Sequence, residues 1–351
     1  MMELGLGVGE VGVRSALDLA RGADAAGFDQ VGVGDSQFGA ESFTLLAAVA
    51  AQTERVRQVS TIAGWSRTPA TTAHAAHTIA ALGGRRFDLG IGPLPRARVQ
   101  DWHGLEFDPV VPRMRSYLRA LRACLDATPD APTAVDDPYF PTRGYVGPGF
   151  TRFPVRLLLG ATQRRMTELA AEVADGVMFN GILPLGWLRD VAPGLVDVGL
   201  ARSGRDRTEF AVTVGRFCGV DDDAERARDL ARHAIAYYFR IPYFRTFLEP
   251  LGFAAELDAG ERALRADDFP AQVRAVSDRM VDELAVTGTP ADVLATLERY
   301  EGVVDGLSLS GAKQLPPDVA VEHTARLLEV VAEYRRTHPG TRRAPARGGA
   351  R

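Results

Sequence analysis

The sequence predicts an α/β fold of the (β/α)8 TIM-barrel class, and three observations support this. Eight short apolar runs recur along the chain, most of them ending in Gly or Asp. The runs show little apolar–polar alternation, which is typical of parallel strands covered by helices. Helix-like segments separate the runs, and the 351 residues exceed the roughly 250 of a minimal barrel. The surplus predicts insertions after strand four (93–108 and 128–153) and after strand seven (240–283).

The predicted elements alternate along the whole chain. The eight predicted strands lie in MELGLGV (2–8), AAGFDQVGVGD (25–35), RVRQVSTIAG (55–64), GGRRFDLGIG (83–92), FPVRLLLG (153–160), AEVADGVMFNG (171–181), EFAVTVGRF (209–217) and YEGVVDGLSLSG (300–311). The predicted helices span 13–27, 42–53, 69–82, 114–127, 162–174, 223–239, 289–300 and 319–334. Pro69 and the pair Thr289–Pro290 mark helix starts, because Pro is favoured at the first helical position and Thr is a good N-cap.

The hexapeptide GVGEVG, from Gly7 to Gly12, fits the pattern G-x-G-x-x-G of dinucleotide-binding turns. Such a turn needs a complete strand before its first glycine and an acidic residue roughly 20 residues downstream. Only MMEL precedes Gly5, and Asp35 lies further downstream than that. We therefore interpret LGLGV as the first barrel strand, whose small residues leave room at the floor of a pocket.

The composition argues against a nucleic-acid-binding, membrane-spanning or secreted, disulfide-rich protein. The formal net charge is −4 and charges of both signs are interspersed, so we expect no nucleic-acid partner. No apolar run approaches the roughly 20 residues of a membrane-spanning helix, and the N-terminus does not resemble a signal peptide. Cys124 and Cys218 are too few for a disulfide framework and indicate buried thiols in a reducing compartment, so we expect a cytoplasmic protein. Lys313 is the only lysine, and this Arg-, Ala- and Gly-rich composition is typical of GC-rich, actinobacterial genomes.

The C-terminal segment differs from the rest of the chain. From Arg335 onward it is rich in Pro, Gly and Arg and almost free of apolar residues. We therefore expect one barrel domain over 1–336 and a disordered basic tail over 337–351. Solvation of this tail is the simpler interpretation, and an anionic partner is the alternative.

The turn LGATQRRM, residues 159–166, has the form of a phosphate site. A strand is predicted to end at Leu159, Gly160 and Ala161 to form a turn, and a helix to begin near Thr162. Free backbone N–H groups and the helix dipole favour an anion there, and Arg164 and Arg165 add positive charge. An ordinary turn with two surface arginines is the alternative.

Further side chains outside this turn are considered for chemistry. Asp35 ends strand two, where a carboxylate can bond a cofactor or substrate; a helix cap or loop carboxylate is the alternative. Trp102 and His103 follow strand four, and a histidine there is a candidate proton donor; a tryptophan that packs the loop, with a solvated histidine, is the alternative. His74 and His77 share a helix face, but no third ligand adjoins them, so we expect no metal site. The aromatic segment 234–253 either lines a pocket or packs the long insertion, and packing is the more common role.

Four segments in order resemble the bacterial luciferase-like superfamily of flavin- and coenzyme F420-dependent oxidoreductases, over roughly 3–335. They are AAGFDQVGVGDS, the block TERVRQVSTIAGWSRTPATTAHAAHTIAALGGRRFDLGIG, LLLGATQRRMTELAAEVADGVMFNG and VTGTPADVLATLERYEGVVDGLSLSG. No single segment is very specific, but the four in order at barrel spacing are.

The resemblance implies a tricyclic redox cofactor in the barrel mouth. It implies a non-prolyl cis peptide at Ser60–Thr61, within one residue, which forms a bulge behind the ring. Relatives often carry Asp-His where this chain has Asp35–Ser36, and sugar-phosphate dehydrogenases of the family carry a catalytic Glu where this chain has Pro95. The cofactor-binding residues that follow from the residues and the resemblance together are Asp35, Ser60, Thr61, Gly92, Gly160, Ala161, Thr162, Arg164, Asn180 and Gly181.

Three functional hypotheses follow. The first is F420-dependent hydride transfer to or from an activated C=C, C=N or C=O of a small-molecule or natural-product substrate, with His103 or Asp35 as the proton donor. The second keeps the fold and uses reduced FMN and oxygen as a monooxygenase. The third is a non-catalytic ligand-binding barrel, because fold alone does not imply turnover. Relatives are often dimers, so a homodimer is a further expectation.

Overall fold

The computed structural model describes residues 2–9, 11–36, 39–241, 243–311 and 317–338. The strands are β1 (Glu3–Gly7), β2 (Gln30–Val33), β3 (Arg57–Ser60), β4 (Phe87–Ile91), β5 (Ala134–Val135), β6 (Thr142–Arg143), β7 (Val155–Ala161), β8 (Gly176–Phe179), β9 (Ala211–Val220), β10 (Ala285–Gly288) and β11 (Gly306–Ser310). The helices are α1 (Val13–Ala26), α2 (Ser42–Gln52), α3 (Pro69–Gly83), α4 (Val110–Asp126), α5 (Arg164–Val173), α6 (Leu185–Asp190), α7 (Ala192–Ser203), α8 (Ala224–Ala236), α9 (Phe244–Leu248), α10 (Ala254–Arg265), α11 (Phe269–Arg274), α12 (Asp278–Leu284), α13 (Pro290–Glu298) and α14 (Pro317–Thr337).

The contacts of the chain divide it into two compact units. The first unit comprises the described residues of 1–28, 179–193 and 213–342, and the second those of 29–178 and 194–212. In the second unit the strands lie in the order β2-β3-β4-β7, continued by β8. In the first unit the order is β10-β9-β11-β1. The prediction of one barrel domain over 1–336 stays a prediction.

All eight predicted strands are present, and the pairs β1–β11, β2–β3 and β4–β7 are parallel, as expected of strands joined by helices. The hairpin β5–β6 and the strand β10 were not predicted. β10 follows α12 without an intervening turn and pairs with the end of β9, so no local break in the sequence marks it. Helix α4 begins at Val110 rather than at 114, because Pro112 falls in its first turn, where proline is tolerated.

The C-terminal helix is longer than predicted. α14 continues to Thr337, three residues beyond the predicted helix end at 334, so the first residue of the tail expected over 337–351 is helical; disorder in the rest of that tail stays a prediction. The Arg335 side chain donates to the Gly27 carbonyl oxygen at 3.1 Å, and Arg336 pairs with Glu333. These contacts supply the ordering that composition alone does not reveal. Residues 339–351, which make up the rest of the predicted tail, lie outside the described residues.

The N-terminal edge of the second unit's sheet holds a buried carboxylate. Asp88, the second residue of β4, is fully buried and accepts from Arg86 Nε at 2.8 Å and Arg156 Nη2 at 2.7 Å. Arg57 Nε lies 3.8 Å from it, and Gln30 donates at 3.2 Å. Burial alone would raise the pKa of Asp88, but the charges of the three arginines outweigh it and hold that pKa below its usual range. This end of a barrel carries stability rather than chemistry.

Three composition-based expectations can be compared with the described part of the chain. Both cysteines are free and buried, as predicted. Among the described residues, no helix has the length and apolar character needed to span a bilayer. The same residues contain no group of three or more His, Cys, Asp or Glu side chains placed to hold a metal ion.

Candidate functional site

Asp35 lies at the C-terminal edge of the second unit's sheet, just after β2, and is the centre of a charged network. Arg67 donates to its carboxylate through two nitrogens, at 2.9 and 3.3 Å. The Ser42 hydroxyl donates at 2.6 Å and the Gly64 amide at 3.3 Å. Arg67 also pairs with Glu41, which caps α2. The sequence therefore brings together two acids and one arginine that lie up to 32 residues apart.

The electrostatics of this network define what Asp35 can do. Burial on its own would raise the pKa of the Asp35 carboxyl, but hydrogen bonds from Arg67 and Ser42, with the Arg67 charge, lower it below its usual value. A carboxyl held in its ionised form at neutral pH has no proton to donate. The geometry therefore argues against Asp35 as the proton donor and favours a role in binding or in organising the site.

Replacing Arg67 with methionine is expected to lower the free energy of unfolding by about 2 kcal/mol at neutral pH, less than for a fully buried pair because Asp35 is partly solvated. Asp35 contributes stability above its ordinary pKa of 3.8, and this is lost as the pH falls through the lowered value. Without Arg67 that contribution disappears. The difference in free energy of unfolding between wild type and variant should therefore become smaller on acidification. Urea unfolding at neutral pH and at about pH 3, below the ordinary pKa of 3.8, checks this.

The matched control for this prediction is Arg21→Met, because Arg21 pairs with Asp18 at an exposed position in α1. Surface pairs of this kind contribute little, so the control should unfold like wild type at both pH values. An Arg67→Met stability loss of the same size at both pH values would mean that Asp35 is not the group affected.

The loop after β4 is tied to this network. Arg98 donates to the main-chain oxygen of Asp35, and its guanidinium lies 5.2 Å from the ring centroid of Trp102. Arg98 to Trp102 form a single π-helical turn, and His103 follows it in an exposed position. The Trp102 side chain is 55% exposed. His103 therefore directly follows Trp102, whose ring Arg98 contacts, while the role of His103 stays a prediction.

The end of β3 forms the predicted bulge, one residue later than expected. The non-prolyl cis peptide lies at Thr61–Ile62, not at Ser60–Thr61. The Thr61 amide still donates to the Val33 oxygen at 3.0 Å, so strand pairing with the β2 side continues through Thr61. The buried Ser60 hydroxyl donates to the Gly90 oxygen at 2.9 Å, which places it in support of the bulge. Contact of Ser60 or Thr61 with a cofactor stays a prediction.

Two glycines make room for this bulge. An added Cβ at Gly34 would lie 2.3 Å from the Thr61 oxygen, and one at Gly90 would lie 2.1 Å from the Ser60 oxygen. Both distances are far below van der Waals contact, and both involve backbone atoms. Gly34 and Gly90 are therefore required by the close approach of backbone oxygen atoms, which the apolar pattern of the strands did not indicate.

Ile62 covers the ends of two neighbouring strands. A Cβ at Gly92 would lie 2.2 Å from Ile62 Cδ1, and one at Gly160 would lie 3.1 Å from the same side chain. Ile62 is only half-buried. Ile62, Gly92 and Gly160 therefore form a small apolar surface, here called the Ile62 shelf. Gly92 and Gly160 were predicted as cofactor-binding residues, and Ile62 was not.

The turn after the Ile62 shelf differs in detail from the prediction. β7 continues through Gly160 to Ala161, and α5 begins at Arg164 rather than near Thr162. Gln163 occupies the N-cap without a side-chain hydrogen bond to the helix, so the first-turn amides have no side-chain cap. This is the arrangement that an anion can complete.

The two arginines of this turn differ in availability. Arg164, the predicted cofactor residue, pairs with Glu168 at 2.7 Å on the surface of α5. Arg165 is exposed, and no protein partner for it occurs within the described residues. Arg165 is therefore the better placed of the two to supply an additional positive charge.

The two remaining predicted residues, Asn180 and Gly181, belong to the first unit. The Asn180 carboxamide oxygen accepts from the Ile182 amide at 3.2 Å and so closes a tight turn. The Gly181 carbonyl accepts from Arg216 at 3.1 Å. An added Cβ at Gly181 would lie 3.1 Å from the Gly215 oxygen, so the turn packs closely on β9. The local pattern of EFAVTVGRF does not indicate the partners of Arg216, because they lie on distant segments of the chain.

Small residues line one face of the first unit's sheet. Gly5 pairs with Ser308, and Gly7 pairs with Ser310, in the register of β1 and β11. On β9, a Cβ at Gly215 would meet no atom within 4 Å. Open space therefore lies beside Gly215. An added Cβ at Gly5 would instead lie 3.5 Å from Ser308, and one at Gly7 would lie 3.0 Å from Ser310 Cβ, so the interpretation of LGLGV as a strand that leaves room stays a prediction.

The aromatic segment 234–253 packs the long insertion, as the more common interpretation predicted. Tyr238, Phe239, Phe244 and Phe253 are buried in one apolar cluster that helices α8 to α12 share. The histidines of α3 have separate structural contacts. His74 lies 3.2 Å from the Tyr145 hydroxyl, and the buried His77 lies 3.2 Å from the Leu125 oxygen.

Comparison with known proteins gives consistent matches. A family model described as luciferase-like monooxygenase matches residues 3–305. The chain is 28% identical over 299 residues to 5,10-methylenetetrahydromethanopterin reductase of Archaeoglobus fulgidus, covering 84% of this chain and 86% of that protein.

Solved structures extend the comparison. The structure of coenzyme F420-dependent tetrahydromethanopterin reductase from Methanopyrus kandleri superposes with a TM-score of 0.80 at 19% identity, covering 96% of this chain and 99% of that one. A monooxygenase from Streptomyces bottropensis gives a TM-score of 0.71 at 22% identity, covering 97% and 100%. These likenesses confirm the predicted (β/α)8 barrel class.

Proposed function

Because the chain belongs to the luciferase-like monooxygenase family, we propose that it is an oxidoreductase that uses coenzyme F420. The reaction is hydride transfer to or from an activated C=C, C=N or C=O of a small-molecule substrate. One observation carries the proposal: Gly160 of the Ile62 shelf lies on β7, three residues before Gln163, the N-cap of α5 that makes no side-chain hydrogen bond to the helix. A flat ring and a phosphate need these two surfaces next to each other.

The described residues fit such a group. Gly92 and Gly160 leave room for the Ile62 side chain, because neither position has a side chain, and the half-buried Ile62 would then contact a ring. The first-turn amides of α5, with Arg165, would hold a phosphate. When bound, the deazaflavin supplies the hydride chemistry, and the protein supplies position and electrostatics.

The chain's own residues have distinct proposed tasks. Arg67 and Ser42 keep Asp35 ionised, so Asp35 accepts hydrogen bonds from the cofactor or the substrate. His103 remains the proposed proton donor, because histidine exchanges protons near neutral pH and Arg98 ties its loop to Asp35. We further propose a cytoplasmic location, on the free buried cysteines, and a homodimer, on the resemblance.

The second candidate is a monooxygenase that uses reduced FMN and oxygen. The likeness to the monooxygenase from Streptomyces bottropensis supports it. Titration of the purified protein with F420 and, separately, with FMN, followed by cofactor fluorescence, distinguishes the two. We expect tight binding of F420 and weak binding of FMN. The reverse would favour the monooxygenase, and binding of neither would favour a non-catalytic barrel.

A single substitution tests the Ile62 shelf. Gly92→Ala places a methyl against Ile62 Cδ1, the flexible end of a side chain, so Ile62 should move while the barrel folds. We expect F420 affinity to fall about tenfold, because the ring loses its complementary surface. Gly186→Ala is the control, since no atom lies within 4 Å of its added Cβ. Equal affinity in both variants would remove the shelf from the proposed site.

A further inference from the structure

Arg216 of β9 is a buried cation with an unusual set of partners. Its side chain is only 1% exposed. Nε donates to the Tyr300 hydroxyl at 2.6 Å, and Nη2 donates to the Leu183 oxygen at 2.8 Å. Nη1 donates to the oxygens of Gly181 at 3.1 Å and Gly215 at 3.3 Å. All four partners are neutral oxygen atoms.

Within the described parts of the chain, Arg216 forms no ion pair. Its charge is therefore compensated only by the dipoles of three carbonyl groups and one hydroxyl. A buried charge without an opposite charge is costly, and apolar residues of similar size often stabilise a fold better. Buried ionic groups are best attested where they hold a particular conformation in place.

The conformation that Arg216 holds is the turn 180–183. Arg216 binds two of its carbonyl groups, at Gly181 and Leu183. The Asn180 carboxamide oxygen closes the same turn from the inside by accepting from Ile182. An added Cβ at Gly181 would lie 3.1 Å from the Gly215 oxygen, so the turn lies close to β9. Arg216 therefore fixes the backbone from which Asn180 projects.

We propose that Arg216 is a positioning residue for cofactor binding, acting through the turn 180–183, with Tyr300 orienting its guanidinium. This inference rests on the proposed function, because Asn180 and Gly181 matter only if they bind the cofactor. Arg216 does not itself contact the cofactor. Its role is to order the turn before binding, so that no ordering cost is added when the cofactor arrives.

The experiment is a double-mutant cycle on F420 affinity with Arg216→Met, Asn180→Ala and the double variant. Arg216→Met is expected to weaken F420 binding about tenfold, and Asn180→Ala is expected to lose most of its effect in that background. Coupling of this kind distinguishes positioning from a general loss of stability. Arg85→Met is the matched control, because Arg85 also donates to two backbone oxygens, of Val56 and Thr53, in the second unit.

Milder variants keep the proposal open to test if Arg216→Met does not fold. Tyr300→Phe removes only the hydroxyl that orients Nε, and about threefold weaker F420 binding is expected. Arg216→Lys keeps the charge but cannot reach all four oxygens, so it should not restore wild-type affinity. Thermal unfolding of each variant reports stability independently of binding.

The outcomes separate the inference from the proposed function. A wild-type protein that binds neither F420 nor FMN overturns the proposed function and the inference with it. A wild-type protein that binds F420, with Arg216 and Tyr300 variants that bind equally well, overturns the inference alone. Independent, multiplicative effects of Arg216→Met and Asn180→Ala also overturn it.

Discussion

Replacing Asp88 with asparagine is expected to lower the free energy of unfolding by about 3–5 kcal/mol at neutral pH, the usual cost of removing one partner from a buried charge cluster. Asp88 is fully buried, and Arg57, Arg86 and Arg156 converge on its carboxylate. In the variant the three guanidinium groups remain close together without the charge that balances them. Urea unfolding, with the midpoint and slope measured separately, checks the effect.

The pH dependence gives this prediction a second test. The pKa of Asp88 lies below its ordinary 3.8, so its contribution to stability is present above that value and is lost as the pH falls through the lowered pKa. The difference in free energy of unfolding between wild type and Asp88→Asn should therefore fall toward zero at acidic pH. Asp18→Asn in α1 is the control, because that carboxylate is exposed and surface substitutions change stability by less than about 0.5 kcal/mol. A small Asp88 effect at neutral pH would show that the arginines find other partners.

Local patterns were sufficient for the barrel strands but not for all the helices between them. Buried parallel strands are continuous apolar runs, so β2, β4 and β11 were visible in the sequence. Helices α6 and α7 were not, because Gly186, Pro193 and Gly199 break the helical pattern. α7 forms nevertheless, since Pro193 falls in its first turn and Gly199 lets the helix approach the Glu168 oxygen closely.

The position of a residue at the end of a strand was enough to choose the candidate site residues, but it did not indicate which side chains they contact. Asp35, Gly92 and Gly160 were found because they end strands, where barrel chemistry is located. Arg67 and Arg98 were not assigned to Asp35, because 32 and 63 residues separate them from it. Pairings at that distance depend on how the strands assemble. The physical state of Asp35, an ionised carboxylate rather than an acid, follows from those pairings.

Gly90→Ala is expected to lower the free energy of unfolding by about 3 kcal/mol or more and to abolish F420 binding. The added Cβ would lie 2.1 Å from the Ser60 oxygen, and β3 is held between β2 and β4, so its backbone cannot move away alone. Relief would require the bulge at Thr61 and Ile62 to shift, which displaces the Ile62 shelf.

The control for Gly90→Ala is the same substitution at Gly194 in α7, where no atom lies within 4 Å of the added Cβ. There alanine should stabilise the protein by roughly 0.5–1 kcal/mol, because it favours the helix and restricts the unfolded chain. Urea unfolding and F420 titration of both variants make the comparison. Stability and F420 binding are measured independently. A Gly90→Ala variant that is destabilised yet binds F420 normally would show that the bulge does not contribute to the cofactor site. A variant with both a lower free energy of unfolding and no F420 binding would show that the close packing of β3 and β4 positions the Ile62 shelf, on which the ring is proposed to lie.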